Sequence, residues 1–166
     1  MSELTHQRLL EVLSFDPETG VFVWRKRYAR RESGDMAGTI HNRTGRLQIC
    51  IDQRSYFAHR LAWFYVHGEW PKQEIDHING NKADNRIANL RDVSRAINQQ
   101  NIRKPHKNKT GYLLGAYLEK NRSSRPWRAS IKLDGKSRYL GFFDTQEEAH
   151  AVYLEAKRKL HAGCTI

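Results

Sequence analysis

Residues 103–111 read RKPHKNKTG and break the chain with a segment that has no large apolar side chain. A packed core needs apolar residues at regular spacing, so this segment cannot lie inside one. Its cationic side chains are those of Arg103, Lys104, Lys107 and Lys109. The sequence therefore predicts two folded parts, residues 1–102 and 111–166, joined by a basic linker over residues 103–110.

The charge balance points to an anionic partner. The 166 residues include 29 Lys and Arg against 18 Asp and Glu, which gives a net charge of +11. Proteins this basic are drawn to polyanions, and nucleic acid is the first candidate, ahead of an anionic membrane surface. Apolar residues make up 39% of the chain, which is enough for packed cores and argues against general disorder.

The cysteines and the N-terminal segment predict an intracellular protein. Cys50 and Cys164 are far apart and neither belongs to a CxxC pair, so a cysteine-based zinc site is not expected. The segment MSELTHQRLLEVLSF contains acidic residues, and its apolar run is too short for a signal peptide. No apolar stretch approaches the roughly 20 residues of a membrane span, so we predict no membrane partner.

The C-terminal part has the pattern of a sheet covered on one side by a helix. In PWRASIKLDGKSRYLGFF, apolar and polar residues alternate on both sides of Asp134-Gly135, a strong hairpin turn. Thr145 and Glu148 form a capping box at the start of an amphipathic helix. We predict a three-stranded antiparallel sheet with one packed helix, with Trp127 and Phe142 in the core.

The N-terminal part mixes short helices and strands, so the predicted class of the whole chain is α+β. Residues 4–14 suit a short amphipathic helix, VFVWRKR a strand, and AGTIHNRTGRLQICID a hairpin. SYFAHRLAWFYVHGEWP predicts a buried helix that ends at Gly68.

Residues 74–101, EIDHINGNKADNRIANLRDVSRAINQQN, have the order strand, loop, strand, helix, with Ser94 as N-cap of the helix. Asp76 and Asn98 offer oxygen ligands of the kind that Mg²⁺ prefers. The neutral imidazole of His77 can take a proton from water, and Asn89 can hydrogen-bond to that imidazole. Together these residues suit hydrolysis of a phosphodiester bond. The other Asn residues of the loop, including Asn85, are interpreted as turn formers.

The run IDHINGNKADNRIANLRDVSRAIN resembles the HNH endonucleases, or ββα-metal nucleases, and most of all their homing-type and phage-encoded members. The resemblance implies that His77 is the general base, that Asn89 orients it, and that Asp76 and Asn98 hold one metal ion per active site. Many members have His at the last of these positions. The Asn here favours Mg²⁺ or Mn²⁺ over Zn²⁺.

The C-terminal part resembles the AP2-type DNA-binding domains through its W-x-A-x-I strand, YLGFFDT and the helix EEAHAVY. That resemblance implies a sheet that lies in the major groove of DNA. The DNA contacts predicted for this part are Tyr117, Arg128, Ser130, Lys132, Lys136, Arg138 and Tyr139. Arg60 and the linker residues Arg103, Lys104, Lys107 and Lys109 are predicted to contact phosphates without reading sequence.

The functional hypothesis is a metal-dependent DNA endonuclease, homing-type or phage-encoded. We expect it to act as a monomer or weak dimer on double-stranded DNA in the cytoplasm of a bacterial or phage-infected cell. The main alternative is a non-catalytic, sequence-specific DNA-binding regulator that keeps the nuclease fold as a scaffold. A third hypothesis, an RNA-binding or RNA-cleaving protein, is supported by charge alone.

Overall fold

The computed structural model of the protein describes residues 3–103 and 112–166, and the α+β class is confirmed. The chain forms two compact units, Met1–Arg95 and Ala96–Ile166. The division precedes the predicted linker. Lys104, Lys107 and Lys109 lie outside the described residues.

The first unit contains three small antiparallel sheets and two complete helices. Its helices are α1 (His6–Val12) and α2 (Ala58–His67). Its strands are β1 (Leu13–Asp16), β2 (Val21–Trp24), β3 (Thr39–His41), β4 (Arg46–Ile51), β5 (Arg54–Phe57), β6 (Glu74–His77) and β7 (Leu90–Val93). The sheets pair β1 with β2, β3 with β4 and β5, and β6 with β7. The helix α3 (Arg95–Gln100) starts at the last residue of this unit.

One apolar core joins these elements. Leu9 and Val12 of α1, Ile49 of β4 and Leu61 of α2 are fully buried within it. The helix α2 ends at Gly68, whose φ of 73° is left-handed, so the predicted end is confirmed. The strand predicted through Arg27 ends instead at Trp24, since the chain then turns and Tyr28 stacks on Trp24 at 4.6 Å.

The second unit is a three-stranded sheet with a helix packed on one face. Its strands are β8 (Ala116–Leu118), β9 (Trp127–Leu133) and β10 (Lys136–Phe143), and its helix is α4 (Gln146–Leu160). The order in the sheet is β10-β9-β8, and the capping box of Thr145 and Glu148 is present. Ala149 of α4 packs against Ala116 and Ala129.

Residues after α3 belong to the second unit through contacts with α4 and the C-terminal residues. Lys157 is 1% exposed, and its ammonium group donates to the carbonyl of Ile102. Burial lowers the pKa of Lys157. Arg103 donates to the carbonyl and hydroxyl oxygens of Thr165, at 3.0 and 2.8 Å. Within the described ranges, no helix is both long and apolar enough to cross a membrane.

Candidate active site

The ribbon of β6 and β7 brings Asp76 and His77 to adjacent positions opposite Arg91 and Leu90. Strand β6 is covered by the core, so Asp76 is 6% exposed and His77 is 4% exposed. The predicted strand-loop-strand order is confirmed, with the loop in residues 78–89. Two side chains with acid–base chemistry are therefore held on a rigid element and largely removed from bulk water.

Arg91 makes a two-nitrogen contact with the carboxylate of Asp76. Its Nε and Nη2 lie 2.9 and 2.7 Å from Asp76 Oδ2. A buried carboxylate needs such a partner, because burial of an unpaired charge is costly. Sequence reasoning overlooked Arg91, although the antiparallel register of the two strands places it directly across from Asp76.

Asn85 holds the imidazole of His77. The Oδ1 atom of Asn85 lies 3.2 Å from His77 Nε2, and Asn85 is only 2% exposed. A neutral imidazole that donates from Nε2 to this oxygen carries its basic lone pair on Nδ1. Asn85 was interpreted from the sequence as a turn former, and its contact with His77 arises only once the loop folds back over β6.

Asn89 does not make the hydrogen bond to His77 that the sequence predicted. Its Oδ1 accepts from the backbone N–H of Asn79 at 2.9 Å, and its Nδ2 donates to the carbonyl of Asp84 at 2.8 Å. Asn89 is the last residue of a short 3₁₀ helix (Ile87–Asn89), and its amide points into the loop. It therefore stabilises the loop that carries Asn85, and its support of His77 is indirect.

The turn between β1 and β2 packs tightly against the same loop. A Cβ on Gly20 would lie 2.5 Å from the backbone nitrogen of Arg86, and the φ of Gly20 is +75°. Nearby, the N–H of Ile87 donates to the carbonyl of Pro17 at 3.0 Å. Only glycine fits this close approach, so the N-terminal turn fixes the backbone beside Asn85.

Burial lowers the pKa of His77, and the hydrogen bond that Nε2 of the ring donates to Asn85 acts in the opposite direction. The positive charge of Arg46 lowers the pKa further, while Asp76 and Asp84 raise it. The ring of His59 meets the ring of His77 edge-on at 5.2 Å, and burial lowers the pKa of His59 to about 3. Both imidazoles are therefore neutral near pH 7, the state that a general base requires.

Two other predicted residues of the site have clear positions. Arg60, on α2, donates to the carbonyl of Gln73 at 3.4 Å, and its guanidinium lies 6.0 Å from the ring of Trp70. Asn98, on α3, is half-buried and belongs to the second unit. Its role as a ligand beside Asp76 stays a prediction.

In the second unit, the face of the sheet opposite α4 combines aromatic and cationic side chains. Tyr117 pairs across the strands with Arg128, and Ser130 pairs with Tyr139, so these four share one face. Tyr139 is 57% exposed, whereas Ser130 is 8% exposed and offers little contact surface. Arg128 Nε lies 3.0 Å from a carboxylate oxygen of Glu119. Lys132 is also on this face, since it follows Arg128 and Ser130 at alternate positions of β9.

Lys136 and Arg138 lie on the opposite face of the sheet, not on the open face with Arg128. They pair with Leu133 and Ile131, which lie on the side of α4 together with Ala129. The two-residue turn Asp134-Gly135 sets this register, because it pairs the residues directly on either side of it.

Phe142 lies on the open face, not in the core as predicted. It pairs with Arg128, because a bulge between Tyr139 and Gly141 shifts the alternation of β10 by one residue. The guanidinium of Arg122 covers its ring at 3.8 Å, a contact that sequence reasoning missed. Trp127 packs against the core of the unit, as predicted.

The segment that contains the candidate site is similar in sequence to known proteins. The sequence profile of the HNH endonucleases matches residues 56–100, which include α2, the ribbon and α3. Protein 3.8 of Escherichia phage T7 is 32% identical over 104 residues, which is 62% of this chain and 83% of that protein. The chain belongs to the same family as Protein 3.8 and carries an HNH endonuclease segment at residues 56–100. No solved structure matches it.

The HNH segment offers few side chains that could hold a divalent ion. In the described part of the chain, no cluster of three or more His, Cys, Asp or Glu side chains could hold a metal. The ribbon does offer one buried carboxylate that already binds a cation, the guanidinium of Arg91. One carboxylate with amide oxygens and water suits a hard ion such as Mg²⁺ and does not suit Zn²⁺. The carboxylate of Asp76 is therefore compatible with a divalent ion that is held mainly by oxygen ligands.

Proposed function

We propose that the protein is a metal-dependent DNA endonuclease that hydrolyses phosphodiester bonds through the HNH segment. The observation that carries this proposal is the buried, neutral imidazole of His77 beside the carboxylate of Asp76, within residues that match an endonuclease family. A positioned neutral imidazole and a buried carboxylate are the groups that metal-assisted hydrolysis needs. The match to the endonuclease family favours DNA as the substrate, and the phage relative favours the cytoplasm of a bacterial or phage-infected cell.

In this mechanism each residue has a separate task. Asn85 holds Nε2 of His77, so that Nδ1 accepts a proton from the attacking water. The water oxygen bonds to phosphorus, the P–O3′ bond breaks, and its electron pair leaves with O3′, which takes a proton from solvent. The products are a 3′-hydroxyl and a 5′-phosphate. Asp76 would hold the ion, with Asn98 as the second oxygen ligand on the basis of motif spacing. When bound, Mg²⁺ or Mn²⁺ supplies charge stabilisation at the scissile phosphate.

The direct test is the conversion of supercoiled plasmid and of phage genomic DNA in the presence of Mg²⁺ or EDTA. We expect open-circle or linear product with Mg²⁺ and none with EDTA. The ratio of the two products distinguishes nicking from double-strand cutting. If every DNA stays intact but still shifts on a gel, the proposal fails in favour of the non-catalytic DNA-binding regulator.

We further propose that the second unit is an AP2-like module that anchors DNA on its open sheet face. The support is chemical: Arg128 and Lys132 supply charge, and the exposed rings of Tyr117 and Tyr139 supply apolar surface beside them. Such a surface suits a nucleic-acid groove, where cations contact phosphates and aromatic rings contact sugars or bases. The carboxylate of Glu119 holds the side chain of Arg128 over this face. In the complex, a phosphate of the DNA would take the place of that carboxylate.

This anchoring role predicts an asymmetry between the two faces of the sheet. Arg128→Gln with Lys132→Gln should weaken DNA binding and reduce the slope of log affinity against log salt by about 0.9 for each lost phosphate contact. The matched control is Lys136→Gln with Arg138→Gln, which removes the same charge from the other face. Fluorescence anisotropy of labelled duplex DNA between low and moderate salt measures both. Equal slopes for the two double variants would rule out this face as the anchor.

A further inference from the structure

Arg46, the first residue of β4, lies at the end of a row of rings that leads to His77. Its guanidinium carbon is 5.8 Å from the centre of the Phe57 ring. Phe57 stacks on His59 at 5.6 Å with an interplanar angle of 17°, and His59 contacts His77 at 5.2 Å. Three successive contacts therefore link the cation of Arg46 to the candidate general base.

The charge of Arg46 is not balanced by an ion pair within the described part of the chain. Among the residues that the structure describes, no carboxylate forms an ion pair with it. Its Nε is buried and has no hydrogen-bond partner. By contrast, the arginines Arg8, Arg86 and Arg91 of the same unit each bind an aspartate. Burial lowers the pKa of His77 and of His59, and the positive charge of Arg46 lowers both further.

The guanidinium of Arg46 is half-buried and forms no ion pair with a described carboxylate, so it is suited to bind an anionic ligand. Partial burial of Arg46 costs free energy because the guanidinium loses hydration, and no described carboxylate offsets this cost. A bound anion would recover part of that free energy. Guanidinium groups bind phosphate oxygens through two parallel hydrogen bonds. In phosphodiester hydrolysis, negative charge on the non-bridging oxygens increases as water attacks, and a fixed cation there lowers the barrier.

We propose that Arg46 is a further catalytic residue, which binds a non-bridging oxygen of the scissile phosphate while His77 activates the water. This inference rests on the proposed nuclease function and adds a residue that lies outside the matched segment of 56–100. Arg46 donates hydrogen bonds only, and no proton or electron pair is transferred to or from it. The phosphate takes the place of the missing counter-ion.

The variants are Arg46→Gln, Arg46→Lys and the matched control Arg43→Gln, in the exposed turn between β3 and β4. We expect Arg46→Gln to reduce the cleavage rate at saturating DNA by about 100-fold or more, with little change in DNA affinity. Arg46→Lys keeps the positive charge but cannot donate two parallel hydrogen bonds, so its cleavage rate should lie between those of the wild type and Arg46→Gln. Arg43→Gln should cut at the wild-type rate. Because Arg46 forms no ion pair with a described carboxylate, Arg46→Gln should melt no lower than Arg43→Gln, which separates catalysis from folding.

A second readout does not depend on cutting. Inorganic phosphate at millimolar concentration should raise the melting temperature of the wild type and of Arg43→Gln, and clearly less that of Arg46→Gln. Equal cleavage rates or equal phosphate shifts in Arg46→Gln and Arg43→Gln would overturn the role of Arg46, while metal-dependent cutting by the wild type would still support the nuclease function. A phosphate shift that needs Arg46 in a protein that cuts no DNA would instead overturn the nuclease function and leave Arg46 as an anion site.

Discussion

Replacing His77 with alanine is expected to lower the cleavage rate by about 10²–10⁴-fold, the usual contribution of a positioned general base. The side chain is buried, and Asn85 fixes its ring through Nε2, so no other imidazole can take over at the same position. Affinity for DNA should stay nearly unchanged, since the imidazole is neutral and contributes no charge to binding. Single-turnover rates on plasmid DNA and gel-shift titrations measure the two quantities separately.

The matched control for this prediction is His67→Ala, at the exposed C-terminal end of α2. It should cut at the wild-type rate. The pH profile of the wild type offers a second check: because burial lowers the pKa of His77 below its usual 6.5, the neutral base and the activity should persist into mildly acidic solution. A His77→Ala protein that cuts as fast as wild type would show that another residue is the base.

Replacing Arg91 with methionine is expected to lower the free energy of unfolding by about 3–5 kcal/mol, the range for removal of one partner of a buried ion pair. Asp76 is 6% exposed and would lose its contact with the guanidinium, so the cost arises from the carboxylate that remains buried. Added Mg²⁺ or Mn²⁺ should recover part of the loss, since the ion would bind the same carboxylate. Urea unfolding curves with and without the metal measure both effects.

Two variants separate this cost from a general effect of losing an arginine. Arg86→Met removes an exposed ion pair with Asp84 and should leave stability almost unchanged. Adding Asp76→Asn to Arg91→Met removes the carboxylate that had lost its contact with Arg91 and should restore much of the lost stability. If Arg91→Met and Arg86→Met unfold at the same urea concentration, the pair with Asp76 is not a significant contribution to stability.

Local sequence patterns predicted the elements that carry the candidate chemistry. Two patterns depend only on neighbours in the chain: the alternation of side chains around Asp134-Gly135, and the strand, loop, strand, helix order of residues 74–101. These elements could therefore be predicted without knowledge of the tertiary structure. The capping box at Thr145 and the end of α2 at Gly68 are local for the same reason, and both are present. Asp76 and His77 were found because strand periodicity and residue chemistry point to them directly.

Contacts between distant elements could not be read from those patterns. Asn85 and Asn89 are both carboxamides of the same loop, and only the path of the loop decides that Asn85 contacts the imidazole while Asn89 binds backbone. The bulge after Tyr139 moved Phe142 to the open face, which a regular alternation cannot predict. Arg46 and His59 reach the site from other elements, and nothing in their own sequence neighbourhood marks them.

By itself, then, the sequence determined the class of the fold, the strand-loop-strand segment and the buried Asp76-His77 pair, because backbone propensity and side-chain periodicity act over short distances. The tertiary structure alone decided which groups surround that pair. Arg91 neutralises Asp76, Asn85 holds His77, and two rings link His77 to Arg46, which pairs with no described carboxylate. Hydrogen bonds and charge effects depend on distances of a few ångströms, and packing, not order along the chain, sets those distances.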